Sequence, residues 1–338
     1  MNGQFISKQA SKQASKQARV EYIDLLRGFG IILMIMGHVG FGSIFDKWIH
    51  GFHMPMFFIV SGYFYKARSF GDLLKRRAKT LLIPYIAFGI ICCIIPTALM
   101  KSLDENTFRI LFFENTDGIP IAGALWFLTA MFFTDIIYSI LDKIFKNGVL
   151  TIAVMVLAIF GMISASYLPI RLPWALDASM VGVGLFHVGR LMKNRRVLNL
   201  SAMVSVMVFI AITILVIANH PVNMRTGNYG IWPIFWVGAI GMTIALWNIC
   251  KVIESGKGLR HFKKWLSGIG SDSITYLCLN QITILVVSHI CNIIGLGNLS
   301  GVRLGVERLG ILFISLLLLY FENIVISKTR LRVLIGKW

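Results

Sequence analysis

Two ionisable side chains, Arg27 and His38, lie eleven residues apart in the first apolar stretch of this chain. An α-helix turns about 100° per residue, so this spacing returns both side chains to nearly one face, about 16 Å apart along the axis. Ionisable groups are costly in hydrocarbon and usually face a bundle interior or a wet cavity, where they mark a functional route. A neutral imidazole is a common general base toward a hydroxyl, which makes His38 a candidate catalytic residue. The structural alternatives are a histidine that hydrogen-bonds a neighbouring helix, and an ion pair of Arg27 with Asp24 one turn earlier.

A second polar cluster follows a short loop. His50 and His53 are one helical turn apart, a spacing that can bind a metal. No third ligand lies near them in sequence, so we expect no metal site. Further along, the basic run 75–79 leads into an apolar segment at Pro84, and anchoring at the cytoplasmic membrane surface is sufficient to explain such a run.

The composition is that of a protein with many membrane-spanning segments. Hydrophobic residues make up 57% of the 338 residues, charged residues only 14%, and the mean hydropathy is +0.75. The net charge of +18 does not indicate a nucleic-acid partner, because the basic residues punctuate apolar runs instead of gathering on one face. We predict an all-α, polytopic bundle of about ten transmembrane helices. The ten apolar runs are roughly 22–41, 49–65, 81–100, 121–141, 149–168, 174–192, 198–218, 231–250, 271–294 and 309–327.

The positions of Lys and Arg predict how this bundle is oriented. With the amino terminus inside, 25 of the 33 Lys and Arg residues fall on the cytoplasmic side and seven on the other, and Arg27 lies within a helix. The positive-inside rule therefore predicts a multi-pass protein of the plasma membrane, in contact with its lipids, with both termini cytoplasmic. Residues 1–20 contain three tandem Ser-Lys-Gln-Ala repeats and are predicted to be a disordered basic tail, and residues 21–338 the transmembrane domain.

Four strings match the pattern of one known family. Arg27 and His38 carry an Arg-x10-His spacing, and the second segment reads His-Met-Pro-Met-Phe-Phe-Ile-Val-Ser-Gly-Tyr from His53. Residues 123–128 read Gly-Ala-Leu-Trp-Phe-Leu, and residues 270–281 read Gly-Ser-Asp-Ser-Ile-Thr-Tyr-Leu-Cys-Leu-Asn-Gln. In these strings the chain resembles the membrane acyltransferase type 3 family over nearly its whole length. A His before the Met-Pro pair, and Asn280 where many members have His, are similar to the fucose 4-O-acetylase-like branch.

The resemblance implies a catalytic pair and a donor site. In the family the matching arginine and histidine are required together, so Arg27 and His38 are the expected catalytic residues. The family also has two arginines three positions apart just before the proline, where they grip coenzyme A on the cytoplasmic side. Counting back from Pro84, Arg77 fits the first position and Thr80 occupies the second. The expected donor-binding residues are therefore Arg76, Arg77 and Lys79, with Lys79 substituting for the second arginine.

The resemblance also implies an acceptor site at His53, Trp126 and Asn280. His53 would hold or activate a hydroxyl, whereas an anchor at the membrane interface is sufficient to explain Trp126. Further ionisable groups in the apolar runs fit no motif, and the sequence assigns them no role: Asp135, Asp177, His187 and Glu322.

The expected function is that of a membrane O-acetyltransferase. It would move an acetyl group from cytoplasmic acetyl-CoA to a sugar hydroxyl of a cell-surface glycan or of its lipid-linked precursor, without a metal. Transfer would proceed directly or through an acyl-histidine, and both routes are open at this point. The alternative functions are a secondary transporter or glycan exporter, since intramembrane Arg, His and Asp also serve proton-coupled transport, and a noncatalytic scaffold.

Overall fold

The structure, a computed structural model, describes residues 21–100, 105–113, 123–168, 171–193, 199–256, 258–294 and 302–337. The predicted tail at residues 1–20 lies outside the described residues. Within the described ranges the regular structure is helical, and the only β-type pairing is an isolated bridge between Asn223 and Asn228.

The helices are numbered here in chain order. They are α1 (Glu21–Val39), α2 (Ser43–His50), α3 (His53–Tyr63), α4 (Phe70–Arg77), α5 (Ile83–Met100), α6 (Glu105–Phe112), α7 (Trp126–Ile144), α8 (Asn147–Tyr167), α9 (Leu176–Met192), α10 (Ala202–Ala218), α11 (Trp232–Ser255), α12 (Arg260–Ser271), α13 (Ser273–Ile293) and α14 (Val302–Lys328). A π-helical turn, Ala78–Leu82, joins α4 to α5, and short 3₁₀ turns precede α7 and α9 and follow α14.

These helices confirm a polytopic helical membrane protein. Seven segments in the described part of the chain are long and apolar enough to cross a membrane. They are Glu21–Val39, Phe70–Ile94, Gly123–Ile144, Asn147–Ala165, Trp232–Ser255, Ser273–Ile293 and Arg303–Lys328. Two more of the predicted runs form α9 and α10, each of 17 residues, at the lower limit of a spanning length.

The second predicted run, 49–65, is not one continuous span. It divides at Gly51 and Phe52 into the end of α2 and the whole of α3, which has 11 residues. A helix of that length rises about 16 Å, roughly half the thickness of the hydrocarbon core. A break at membrane depth is tolerated where protein or a cavity surrounds the freed backbone. α3 meets this condition, since His53 through Val60 are all buried.

The inner layer of the bundle is built around α1, α3 and α9. α3 packs most extensively on α9, and α1 packs on α12, α11 and α13. The approach of α3 to α9 is close enough that a Cβ at Gly62 would lie 1.8 Å from the carbonyl oxygen of Phe186, and one at Gly189 would lie 1.9 Å from that of Ile59. Glycine at both positions therefore permits this backbone contact.

The outer layer presents apolar side chains away from the protein. Met203 of α10 is 73% exposed, Phe313 of α14 70%, and Ile152 of α8 63%. Large apolar residues exposed along whole helices are expected where the surroundings are lipid. The two layers thus place polar groups inside the bundle and apolar surface outside it.

Candidate active site

A cavity of about 560 Å³ lies where α1 ends, and we call it the histidine cavity. Its lining includes His38 of α1, His50 of α2 and His53 of α3. The remaining lining residues are Met34, Met54, Gly123, Ala124, Trp126, Asn223, Met224, Arg225, Gln281 and Leu285. The volume is within the roughly 300–1,000 Å³ that is usual for small-molecule sites.

The break between α2 and α3 brings two of these histidines into position. The Nδ1 atom of His53 lies 2.7 Å from the carbonyl oxygen of Ile49, and that of His50 lies 2.6 Å from the carbonyl oxygen of Asp46. A carbonyl oxygen can only accept, so each Nδ1 carries the hydrogen and each neutral ring keeps its lone pair at Nε2. The Ile49 carbonyl, which also accepts from the backbone N–H of Phe52 at 3.1 Å, thus ties His53 to the end of α2. In its neutral form each side chain therefore offers Nε2 as a hydrogen-bond acceptor.

His38 is held by a different kind of partner. Its Nδ1 lies 3.2 Å from Nε2 of Gln281 on α13, and the side-chain oxygen of Gln281 accepts from the backbone N–H of Ala124 at 3.4 Å. The side chain of His38 is exposed to the cavity. Among the described residues, no group of three or more His, Cys, Asp or Glu is arranged to hold a metal ion. The chemistry that these groups offer is proton transfer and hydrogen bonding.

A second cavity, of about 210 Å³, lies near the start of α1, and we call it the basic cavity. Its lining residues are Phe64, Tyr65, Lys66, Arg68, Leu73, Arg76, Arg77 and Asp135. Arg77 donates to Oδ1 of Asp135 at 2.8 Å, and the carboxylate is 1% exposed. Its other oxygen, Oδ2, has no partner among the described residues. Four cations and one carboxylate give this cavity a positive net charge, which favours an anion.

Arg27 lies near the basic cavity, at the opposite end of α1 from His38. Its guanidinium is 5.9 Å from the ring centre of Phe64, which lines that cavity, and 3.8 Å from the Asp24 carboxylate. The ion pair that the sequence offered as an alternative for Arg27 is therefore present. Arg27 itself is not among the residues that line either cavity. Arg27 and His38 do lie on one helix, as their spacing predicted. Eleven positions along that helix separate them, so the two side chains lie near different cavities.

Three helices connect the two cavities. α1 carries His38 at one end and Arg27 near the other, and α3 begins at His53 and ends just before Phe64. α7 begins at Trp126 in the histidine cavity and reaches the basic cavity nine residues later at Asp135. At 1.5 Å per residue, each connection measures about 14 to 16 Å. The two cavities therefore lie at different depths along one set of helices.

The other predicted site residues divide into two groups. Trp126, 5% exposed, lines the histidine cavity. Asn280 is fully buried on α13 and its amide donates to the carbonyl oxygens of Tyr276 and Leu277, so it is not among the cavity residues. Lys79 lies in the π-helical turn and is not among the residues that line the basic cavity. A donor role for Lys79 and an acceptor role for Asn280 stay predictions from the resemblance.

Two cavity residues were missed by the sequence reasoning. Gln281 directly follows Asn280, and together with Leu285 one turn later it forms the cavity face of α13. Arg225 reaches the cavity from a hairpin between α10 and α11. In this hairpin Asn223 and Asn228 exchange two backbone hydrogen bonds, and the Asn223 side chain accepts from the backbone N–H of Arg225 at 3.0 Å. No motif marks this loop, so the only available signal was its charge.

Tyr229 anchors this hairpin to the bundle. Its side chain is 1% exposed, and its ring lies 5.1 Å from that of Phe235 at the start of α11. Burial raises the pKa of the Tyr229 hydroxyl, so this anchor stays neutral. The hairpin thus has a fixed base from which Arg225 reaches the cavity.

The other three ionisable groups to which the sequence assigned no role have partners within the described bundle. Asp177 pairs with Arg171 and also accepts from the backbone N–H of Ala178. Glu322 accepts from the Thr283 hydroxyl at 3.0 and 3.1 Å, which links α14 to α13.

His187 of α9 joins three helices. One ring nitrogen lies 2.9 Å from the Tyr138 hydroxyl of α7, and the other lies 3.0 Å from the Thr151 hydroxyl of α8. Both nitrogens are therefore engaged within the bundle.

Comparison with known proteins identifies the family. A model described as an acyltransferase domain matches residues 20–321, which is nearly the whole chain. This chain belongs to the acyltransferase 3 family. It is accordingly a multi-pass membrane protein with an acyltransferase-family domain over nearly its whole length, and the resemblance seen in the four sequence strings is confirmed.

The chain is similar to the nodulation protein NolL of Mesorhizobium japonicum, with 26% identity over 166 residues. The match covers 44% of this chain and 43% of that protein, so the chain spans less than half the length of the curated relative it matches. No solved structure gave a significant match.

Proposed function

We propose that this acyltransferase moves an acetyl group from acetyl-CoA to a sugar hydroxyl of a cell-surface glycan or of its lipid-linked precursor. The donor phosphates bind at the basic cavity and the acceptor hydroxyl enters the histidine cavity. The observation that carries this proposal is the placement of the two cavities at the two ends of α3 and nine residues apart along α7. An acyl-coenzyme A has its phosphates at one end of a long pantetheine arm and its thioester at the other. One donor molecule can therefore serve both sites.

The basic end is cytoplasmic in this proposal. The basic cavity lies between α3 and α4, in the region that the excess of Lys and Arg assigns to the inside. Acetyl-CoA is a cytoplasmic metabolite with several phosphate charges, and Arg forms strong charge-assisted hydrogen bonds with phosphate. A cavity of this size accommodates phosphate groups rather than a whole coenzyme. Arg76 and Arg77 bind the donor phosphates, and Arg27 lies close to the Phe64 ring, which lines the same cavity.

The acceptor binds among the three histidines. The Nε2 lone pair of His53 accepts a hydrogen bond from a sugar hydroxyl, because its Nδ1 is committed to the Ile49 carbonyl. Trp126 offers an aromatic surface against which the apolar face of a sugar ring can pack. Arg225 adds a donor on the hairpin side of the cavity. Together these groups position a hydroxyl beside His38.

His38 supplies the proton transfer in this mechanism. The acceptor oxygen attacks the thioester carbonyl, its proton passes to unprotonated His38, the C–O bond forms and the C–S bond breaks. The proton then leaves with the coenzyme A thiolate. If His38 first carries the acetyl group, the same unprotonated nitrogen attacks the thioester and the acceptor takes the group from it. Both routes predict that activity rises with pH as the imidazole loses its proton.

Glycan mass spectrometry tests this function directly. Cells that express the chain should carry an acetyl mass on a surface glycan that cells without the gene lack, and the mass should return on complementation. A transporter or exporter would instead change the amount of glycan outside the cell without adding the acetyl mass. Unaltered glycan masses in both strains, with the protein present in the membrane, would contradict the proposal.

A further inference from the structure

Each end of the Gln281 amide has a partner. Its oxygen accepts from the Ala124 N–H at 3.4 Å, and its nitrogen lies 3.2 Å from Nδ1 of His38. Ala124 belongs to the 3₁₀ turn that leads into α7, His38 to α1, and Gln281 to α13. The contact thus joins three elements at the histidine cavity.

We infer that Gln281 is a positioning residue for His38, which holds Nδ1 and directs Nε2 toward the acceptor hydroxyl. This inference rests on the proposed function, because it takes His38 as the base and Nε2 as the nitrogen that accepts the hydroxyl proton. The alternative pairing, with Nε2 held by the protein and Nδ1 toward the cavity, would place the reacting nitrogen next to the ring's own backbone. Gln281 and Leu285 form the face of α13 that lines the cavity, so the amide is aimed at the imidazole by the helix itself.

An amide suits this position because it matches both neutral forms of the ring. With its nitrogen opposite Nδ1, it donates to an unprotonated Nδ1; after a half-turn of the amide, its oxygen accepts from a protonated Nδ1. The second arrangement leaves the lone pair at Nε2, which is the form that accepts the hydroxyl proton. The half-turn gives up the contact to Ala124, which is long for a hydrogen bond, and turns the amide nitrogen toward the Ala124 N–H instead. Nδ1 keeps its hydrogen when Nε2 takes up the hydroxyl proton, so in this second arrangement the Gln281 oxygen pairs with Nδ1 both before and after the transfer.

The described lining of the histidine cavity contains no carboxylate, so a single added negative charge should have a clear effect on the protonation of His38. The other titratable groups among the described lining residues are His50 and His53 on α2 and α3, and Arg225 on the hairpin. Replacing Gln281 by Glu would add the only carboxylate to that described lining. A carboxylate beside Nδ1 favours the imidazolium, so His38 would protonate at higher pH.

Three variants on α13 separate positioning from packing. Gln281→Met keeps the length of the side chain and removes its hydrogen bonds. Gln281→Glu keeps a hydrogen-bond acceptor and adds a negative charge. Val286→Met is the control, because it changes the lipid-exposed side of the same helix. Protonation is read from spectra of protein labelled with ¹⁵N-histidine in lipid bilayers. The His38 signals are assigned by their loss in His38→Gln.

We expect Gln281→Glu to raise the pH at which His38 protonates by roughly one unit or more. Gln281→Met should mix the two neutral forms of His38 and lower kcat about tenfold or more, with the KM for acetyl-CoA unchanged, because the donor site is intact. Val286→Met should match the parent in every measurement. A Gln281→Glu protein whose His38 protonates at the parental pH would overturn the inference.

The spectra keep this test independent of the proposed function. They report on the contact even if the parent transfers no acetyl group, which would count against the proposed function alone. If His38→Gln abolishes transfer but both Gln281 variants keep parental spectra and parental kcat, the positioning role is wrong and the catalytic role of His38 stands.

Discussion

At the scale of single residues, the Arg77–Asp135 pair is the most specific feature of the proposed donor site. The two side chains come from α4 and α7, and their atoms are 2.8 Å apart. A buried carboxylate with one open oxygen is costly unless a cation compensates it. Asp135 orients the Arg77 guanidinium by accepting a hydrogen bond from it, and Arg77 also lines the basic cavity.

Arg77→Gln should raise the KM for acetyl-CoA about tenfold or more, because a charge-assisted hydrogen bond to phosphate is lost. The KM for S-acetyl-pantetheine, which lacks the nucleotide and its phosphates, should stay at the parental value. Lys75→Gln on the same helix is the matched control, since Lys75 is exposed and does not line the cavity. An equal rise for both donors would assign Arg77 to folding instead of donor binding.

Asp135→Asn should also weaken acetyl-CoA binding, by less than Arg77→Gln, because the guanidinium stays but loses its orientation. The double variant should bind the donor no more weakly than Arg77→Gln alone, since both changes act through one contact. Steady-state kinetics with acetyl-CoA over the four proteins gives this comparison. Additive losses in the double variant would show that Asp135 acts on the donor by a route other than Arg77.

The residues of the histidine cavity show what sequence reasoning reaches at this scale. Residue type and spacing pointed to His38, and the resemblance to the family pointed to His53 and Trp126; all three line one cavity. On α13 the family pattern pointed to Asn280, whereas Gln281 faces the cavity. Neighbouring positions on a helix differ by about 100°, and only the packing of α13 decides which of them faces inward.

At the scale of elements, the close contact of α3 with α9 determines where the histidine-bearing helix lies. At Gly62 and Gly189 the backbones of α3 and α9 are in direct contact. α3 is also enclosed by protein on its other sides, so it cannot shift away from α9. The sequence indicated an apolar run here but not its division into α2 and α3. That division depends on tertiary partners for the freed backbone, which no local pattern encodes.

Gly189→Ala should destabilise the protein by at least about 1–3 kcal/mol, because the added Cβ must displace the backbone of α3. We expect a lower melting temperature in detergent and a lower abundance in the membrane. Gly310→Ala in α14 is the control, because a Cβ there meets nothing within 4 Å. Equal melting temperatures for Gly189→Ala and the parent would show that the two helices are not in this contact.

At the scale of the whole molecule, composition and periodicity were sufficient to predict the fold class. Nine of the ten predicted runs contain one helix each, because long apolar stretches leave the backbone few alternatives in a membrane. The arrangement of these helices into two layers could not be predicted, since it depends on which faces match in shape. The orientation in the membrane stays a prediction from the basic residues.

Single cysteines introduced one at a time should report that orientation. Ala10→Cys and Leu331→Cys should react with a membrane-impermeant maleimide only after the cells are opened, because the positive-inside rule places both sites in the cytoplasm. Thr226→Cys, exposed in the hairpin by the histidine cavity, should react in intact cells. The five native cysteines are buried in the structure and should give a low background. Labelling of residues 10 and 331 from outside would reverse the proposed orientation.

The central claim is that the histidine cavity is where acyl transfer occurs, and His38→Gln tests it most directly. Glutamine keeps the polarity but supplies no basic nitrogen near neutral pH. The measurement is transfer of labelled acetyl from acetyl-CoA to the membrane glycan in vesicles with equal amounts of parental and variant protein. The account predicts that His38→Gln lowers the rate by about 100-fold or more, with folding and membrane insertion retained. Transfer at the parental rate would contradict it.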